Sequence, residues 1–498
     1  MVAMMKDVTG GGKSGMSRRT FLGMGAAALG AVALGGGPLR ALAQVERGAA
    51  GAGSPVGRVE RPNILHIMTD DQDYQSWAER YTLVDRRGAA LLDDDGNPRQ
   101  DYAMRFARSF PGGGWTDFTQ HTCSSAICAP SRASILTGVP AREHGVMRNG
   151  LLGNLDEANT MATWLAAAGY RTHLVGKYSF GTGGRKHPTP PGWTSFQGRG
   201  GLSSTVFREG VDLIRRGAAD SAPWAMFLWP VDPHRLAKPT SANAKIALRP
   251  PTLPANINEA DVSDKPSWIR NTKLMPVGKL RAAEKERVRC YQALMGVDQG
   301  IEQVINTLRE TGQFERTIII VMADNGDSWG SHRVLFKDMI YDEAVHVPLA
   351  IRVPWMSGNR EENRVVSSLD LTATIVEATG VEAGRPLMGR SLLPIIEDGA
   401  AGWEGAAYVE SHGSPGARSK GRPAFKGLRV GGDDWGQYSY AWYPDTGEVE
   451  LYDRGADPAQ LENVAGRVDY AVVREALEVR LAEFLGRPGY GPRAGGGL

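Results

Sequence analysis

Several short stretches of the chain carry side chains able to do chemistry, and one of them joins a nucleophile to a fixed positive charge. It is C-A-P-S-R, Cys128 to Arg132, within CSSAICAPSRASILTG at 123–138. Pro130 suits a first helical turn, Ile135 and Leu136 give the helix an apolar side, and Gly138 can end it. Cys128 then falls just before a helix N-terminus, where backbone N–H groups and the macrodipole favour an anion. Arg132 adds a planar, permanently charged fork. One reading is a nucleophile beside a seat for a sulfate- or phosphate-like group. The other is a small buried hydrophobe, the commoner fate of a Cys.

Two acidic stretches follow apolar runs. Asp70 and Asp71 (in T-D-D-Q-D) follow the run 63–68, and Asp324 and Asn325 (in A-D-N-G-D) follow 317–322. Adjacent carboxylates repel unless a cation lies between them. Hard oxygen ligands suit calcium or magnesium. Alone, the first reads equally as a solvated acidic turn and the second as a common turn. On two strand ends together, they complete an all-oxygen site. Lys177 follows the run 172–175 and His234 follows 224–229. Singly, such a Lys is usually exposed and such a His lies in a loop. Their strand-end positions set them apart, because open α/β sheets gather ligand sites at the carboxyl ends of strands.

The elements that must hold these residues follow a β-α-β rhythm. The runs 63–68, 172–175, 224–229 and 317–322 read as buried strands, and 161–168 as an apolar helix closed by Gly169. Residues 282–311 read as a long helix capped by Gly312, with Val288, Tyr291, Leu294, Ile301, Val304 and Leu308 at helical spacing. Residues 370–379 read as a helix with Asp370 as its N-cap. From about residue 402 short strand-like runs alternate with turns, ahead of an amphipathic helix over 473–485. The fold class is therefore α/β, a larger domain over 59–400 followed by a smaller α+β part over 401–498.

The chain has 498 residues and a formal net charge of +2, which points to no nucleic-acid partner. Its three cysteines, Cys123, Cys128 and Cys290, make neither a disulfide framework nor a zinc site. Cys290, in the long helical pattern, reads as core. Residues 17–22, S-R-R-T-F-L, precede a short apolar Gly/Ala-rich run and A-L-A at 41–43. This reads as a twin-arginine export signal over 1–43, then a linker over 44–58. The expected location is periplasmic or extracellular, with the Tat translocase as a partner.

C-A-P-S-R-A-S-I-L-T-G resembles the signature of type I sulfatases, of the alkaline phosphatase superfamily. The likeness runs from about residue 61 to 464 with its motifs in the family's order. It implies a large mixed central sheet with helices on both faces, and a smaller C-terminal antiparallel sheet with a helix. It also implies that Cys128 is oxidised to formylglycine by a formylglycine-generating enzyme before export. Asp70, Asp71, residue 128, Asp324 and Asn325 would hold one divalent cation, calcium before magnesium. Arg132, Lys177 and Lys337 would contact the sulfate, and His234 would also serve as acid for the leaving group. Lys337, Tyr341 and Asp342 match the family's K-x-x-x-Y-[DE] spacing.

Within the family the chain is most similar to the N-acetylglucosamine-6-sulfatase group. D-D-Q-D, G-K-Y at 176–178 and P-P-G-W at 190–193 carry that likeness, as does N-E-A-D-V-S-D-K-P-S-W-I-R at 258–270. Ser179 stands where many members have His, and Phe180 where this group usually has Asn. The expected substrate is a sulfated small molecule or glycan, first a 6-O-sulfated amino sugar. The rivals are an aryl- or alkylsulfatase, a phosphonate monoester hydrolase, and a non-catalytic binder of sulfated glycans. No role follows for Asp73 or His332.

Overall fold

The apolar runs become one sheet. In chain order its strands are β1 (Asn63–Thr69), β2 (Trp115–Phe118), β3 (Arg171–Gly176), β4 (Ser195–Gln197), β5 (Trp224–Trp229), β6 (Thr317–Ala323), β7 (Leu349–Arg352) and β8 (Asn359–Glu362). In space they run β8-β2-β7-β6-β1-β5-β3-β4. Every pairing is parallel except those of β7, which runs against both of its neighbours. The structure is a computed structural model describing residues 57–178, 189–198, 200–399, 402–414, 421–432 and 436–486. The export signal, nearly all of the linker, Ser179, Phe180 and the C-terminal tail lie outside the described residues.

β1 is buried along its whole length, as expected of a central parallel strand covered on both faces. Its side chains alternate between two cores. Ile64 and Met68 join Ile135 and Leu136 of α1 (Cys128–Thr137), Trp164 and Leu165 of α2 (Met161–Ala167), and Leu371 and Ile375 further along. Leu65 and Ile67 join Val206 and Phe207 of α3 (Ser203–Gly217) and Leu294, Ile301 and Val304 of α4 (Val277–Glu310). Each such side chain fully buried contributes about 2 kcal/mol. The two-faced α/β sheet expected from the sequence is therefore present.

Three boundaries differ from the sequence reading. α4 starts at Val277, ahead of the expected 282, because Pro276 serves as its N-cap. Helix α5 (Ser368–Thr379) is capped by Ser367, not Asp370. Asp370 sits at the third helical position and its carboxylate accepts the Ser367 N–H at 2.8 Å, the return half of a capping box. Cys128 is the first residue inside α1, with Ile127 as N-cap, and Asn149 Oδ1 accepts the Ala129 N–H at 3.0 Å.

The C-terminal part is an antiparallel meander of β9 (Ala406–Ser414), β10 (Arg422–Val430), β11 (Tyr438–Trp442) and β12 (Val449–Asp453). Helix α6 (Ala471–Gly486) lays Leu477, Leu481 and Phe484 against Tyr408, Leu428 and Tyr440. On the sheet's other face Val409, Phe425 and Tyr452 pack with Cys123, Ala126, Tyr341 and Val345. This second core ties the meander to the segments around Cys128 and Lys337. Among the described residues no helix is long and apolar enough to cross a membrane.

Candidate active site

Four neighbouring parallel strands, β6, β1, β5 and β3, bring their carboxyl ends to one edge. β6 delivers Asp324 and Asn325, β1 delivers Asp70 and Asp71, the turn after β5 delivers His234, and β3 delivers Lys177. Backbone bonds hold these ends together: Asp324 N–H to Thr69 C=O at 3.1 Å and Lys177 N–H to Trp229 C=O at 2.7 Å. Gly176 makes the second approach possible. A β-carbon there would lie 2.0 Å from the Trp229 oxygen, and its φ of +118° suits glycine. Asp71 itself sits in the left-handed region, at φ 61°.

Helix α1 supplies Cys128 and Arg132 from one face, four residues apart. Cys128 Sγ lies 3.2 Å from Asp70 Oδ1 and 3.6 Å from Asp71 Oδ1. Lys337 Nζ lies 2.7 Å from the same sulfur and pairs with Asp71. Lys177 pairs with Asp70. Arg132 donates from Nε to Asp324 Oδ2 at 2.8 Å and from Nη1 to the Lys177 carbonyl at 2.6 Å. His234 Nε2 stands 3.5 Å from Asp71 Oδ2 and is the more exposed member of the group. All nine residues singled out in the sequence thus meet in one place.

The electrostatics follow from burial. Desolvation alone would raise Asp70, but Lys177 and Arg132 outweigh it and hold its carboxyl well below the usual range. Asp71 is likewise lowered, with Lys337 overcoming burial. At Lys337 burial works against the charge, and Asp71 more than compensates, raising its affinity for a proton. Burial, with the neighbouring Asp70 charge, pushes the Cys128 thiol well above its ordinary range. An unmodified thiol here stays protonated and is a poor nucleophile.

The donor set fits a hard divalent cation. Asp70, Asp71 and Asp324 are buried, and each offers a carboxylate oxygen within 4.8 Å of the others. The Asn325 amide joins them, donating to Asp71 Oδ1 at 2.8 Å. Sulfur at position 128 is a soft partner for such an ion, whereas an oxygen function there would match it.

Other residues turn out to support the site from a distance. Asp73 caps the helix after β1, accepting from Ser76 N–H at 2.8 Å and from Trp329 Nε1 at 2.9 Å. His332 stays outside the cluster: it pairs with Glu259 at 2.6 Å and packs at a tilt against the Tyr341 ring, centroids 4.0 Å apart. The segment from Asn258 to Arg270 is a clamp, for Glu259 holds His332 and the fully buried Lys265 lies between Glu259, Asp264 and the ring of Tyr452. Asn149 and the Arg235–Asp327 ion pair border the site without any local pattern that marks them.

A buried residue set between three carboxylates and three cations, at the carboxyl edge of a mixed α/β sheet, defines a hydrolase for esters of tetrahedral oxyanions. The chain belongs to the sulfatase family: residues 62–381 match its family model, described as Sulfatase. It is accordingly a sulfate ester hydrolase, and sulfatases generally use a metal ion and a formylglycine. Residues 330–486 also match the model described as N-sulphoglucosamine sulphohydrolase, C-terminal. The N-acetylglucosamine-6-sulfatase of Homo sapiens is 27% identical over 481 residues, covering 82% of this chain and 82% of the relative. The arylsulfatase of Volvox carteri is 25% identical over 508 residues, covering 85% of this chain and 74% of the relative. A solved structure described as a complex with its substrate, D-glucosamine-2-N,6-O-disulfate, shares the fold at TM-score 0.64 and 21% identity, over 87% of this chain and 100% of its own.

Proposed function

We propose that this sulfatase removes the 6-O-sulfate of an N-acetylglucosamine-type sugar, using residue 128 as a formylglycine. The observation that carries the chemistry is the placement of Cys128 between Asp70 and Lys337. The sugar reading is supported by the likeness to the human N-acetylglucosamine-6-sulfatase. The likeness to an arylsulfatase favours an aryl sulfate as the second reading.

As a hydrated aldehyde, residue 128 carries two hydroxyls. One loses its proton and attacks sulfur, the bond between sulfur and the sugar oxygen breaks, and the SO3 group passes to that oxygen of residue 128 as a sulfate ester. Arg132, Lys177 and Lys337 offset the charge on the sulfuryl oxygens. His234, on the more open side, gives the departing alcohol its proton. The second hydroxyl then loses its proton, inorganic sulfate leaves, and the aldehyde is restored. A plain Ser or Cys would keep the sulfate as a stable ester with no such exit.

Asp70, Asp71, Asp324 and Asn325, with an oxygen of residue 128, would hold the divalent cation, calcium first and magnesium second. When bound, such an ion acts as a Lewis acid toward oxygen. Maturation requires a formylglycine-generating enzyme. The paired Arg18 and Arg19 support export by the Tat translocase to a periplasmic or extracellular location. Cell fractionation of the Arg18→Lys, Arg19→Lys double variant tests that route: unchanged export would contradict it.

Comparing kcat/KM on N-acetylglucosamine 6-sulfate, an aryl sulfate and a phosphonate monoester tests the substrate. The proposal expects the sulfated sugar to lead. A preference for the phosphonate would overturn it, and binding of the sugar without turnover by matured protein would favour a non-catalytic binder.

A further inference from the structure

We propose that Arg235 is a positioning residue for the reaction. Its guanidinium, set against the rings of Trp329 and Phe336, holds the turn that carries Lys337 to residue 128. The proposal rests on the formylglycine chemistry above, in which Lys337 meets the sulfuryl oxygens.

The chain between Asn325 and Lys337 is a small hairpin. It leaves the carboxylate cluster, pairs Ser328 with Phe336 and Trp329 with Leu335, and returns at Lys337. A ladder of two residue pairs has little stability of its own. The return is also conformationally costly. Phe336 and Asp338, on either side of Lys337, both lie at φ 73°, in the left-handed region that a bulky side chain disfavours. A backbone of this kind persists only where its surroundings over-determine it. Asp338 is fixed from one side: its N–H donates to the Ala126 carbonyl at 2.9 Å, and its carboxylate accepts from the Ser411 hydroxyl at 2.6 Å. On the other side Arg422 donates to the Leu335 carbonyl, and the Phe336 ring lies against Arg235.

Arg235 follows His234 in the turn after β5. Its guanidinium carbon lies 4.4 Å from the centre of the Trp329 ring and 4.5 Å from that of Phe336. Its Nε pairs with Asp327, and its Nη2 donates to the Ser328 carbonyl. One planar group therefore meets both strands of the hairpin, the outgoing one at Asp327, Ser328 and Trp329 and the returning one at Phe336. The side chain is only 9% exposed, which strengthens its attraction to both rings. Trp329 is itself anchored, because its Nε1 donates to Asp73 at 2.9 Å. The residue after Phe336 is Lys337, whose ammonium reaches Cys128 at 2.7 Å. A lysine at 235 would keep the charge but lose the plane, and with it the combination of ring contacts and two directed hydrogen bonds.

A double-mutant cycle on matured enzyme tests this, with kcat read on N-acetylglucosamine 6-sulfate and on an aryl sulfate. Arg235→Lys and Phe336→Leu are each made in the parent and in Lys337→Ala. Arg235→Lys keeps a cation opposite the buried Asp327, so no carboxylate is left unpaired. In the parent each change should lower kcat on the order of tenfold, because a displaced ammonium no longer meets the sulfuryl group. In Lys337→Ala each should alter kcat by no more than about twofold, because the group they position is gone. A purely structural role, or direct contact of Arg235 with substrate, gives the same fold loss in both backgrounds and overturns the proposal. Unchanged kcat in the parent overturns it too. Thermal unfolding reveals a variant that fails to fold, and the other variant then decides. Failure of the sugar reading shows separately, as parent enzyme that turns over the aryl sulfate alone, on which the cycle is then read. Failure of the formylglycine reading shows as active parent enzyme with an intact thiol at residue 128.

Discussion

The ammonium of Lys337 lies 2.7 Å from Cys128 Sγ while also pairing with Asp71. One side chain thus touches both the residue that must become the nucleophile and a carboxylate of the cation site. It is placed to offset charge as it develops on a sulfuryl oxygen. Replacing Lys337 with Ala should cut kcat by about 10²–10³. The change unpairs the buried Asp71 carboxylate, and the folded structure should survive where a cation held by Asp70, Asp71 and Asp324 takes over that pairing. Steady-state kinetics on matured protein, with circular dichroism as the fold control, checks this. A kcat within about twofold of the parent would remove Lys337 from the chemistry.

The carboxylates of Asp70, Asp71 and Asp324 are buried within one small group, so a bound cation should stabilise the fold by mass action. A chelator should abolish turnover and lower Tm, and added calcium should restore both. Asp324→Asn should weaken cation binding by at least about tenfold, because one of the charged donors is lost. Unchanged turnover after exhaustive chelation would contradict the assignment.

Glu450 is fully buried and accepts hydrogen bonds from Tyr341, Tyr443 and Tyr452. This knot joins β12 to the segment just after Lys337. Glu450→Ala leaves three buried hydroxyls without their acceptor and should cost about 3 kcal/mol or more. Glu450→Gln keeps an acceptor and should cost less. Denaturant unfolding measures both, and equal stability of the two variants would contradict the polar-knot account.

The buried histidines should each cost stability on mild acidification. Burial pushes His66 down to about 3 and His121, His144 and His173 down to about 4. These rings are neutral in the fold but take up a proton near 6.5 once unfolded. The unfolded state therefore binds more protons below that pH, and their contribution is lost as pH falls toward 4. Asp298 and Asp370, pushed up to about 6 by burial, act in the opposite sense over the same window. Asp117, Asp232, Asp338 and Glu450 are raised by burial as well, so the histidine part is isolated by difference: between about pH 7 and about pH 5 the parent should lose more Tm than His173→Gln. The same pH dependence in parent and variant would contradict this.

Much of the site was legible because its signals are local. Asp70, Lys177, His234 and Asp324 each follow an apolar run, and a parallel sheet brings such strand ends to one edge. What escaped was set by distant partners. Tyr341 and Asp342 were visible only as a spacing; their roles depend on Glu450 and on Arg429, whose Nε and Nη2 bind Asp342 at 3.0 and 2.9 Å. The segment from Asn258 to Arg270 has little periodicity of its own, and its meaning lies in Lys265 and Glu259 bridging two other segments. The N-cap of α5 was misplaced because Ser367 and Asp370 are both good cap residues, and reciprocal bonding decides between them. The reversed direction of β7 leaves no mark in its short apolar sequence.

The central claim is that residue 128 acts as a formylglycine, and the mass of the proteolytic peptide carrying Cys123 and Cys128 tests it most directly. Protein from its own host should carry an aldehyde in place of the Cys128 thiol, with Cys123 unchanged. An intact thiol at 128 in fully active enzyme would contradict the account.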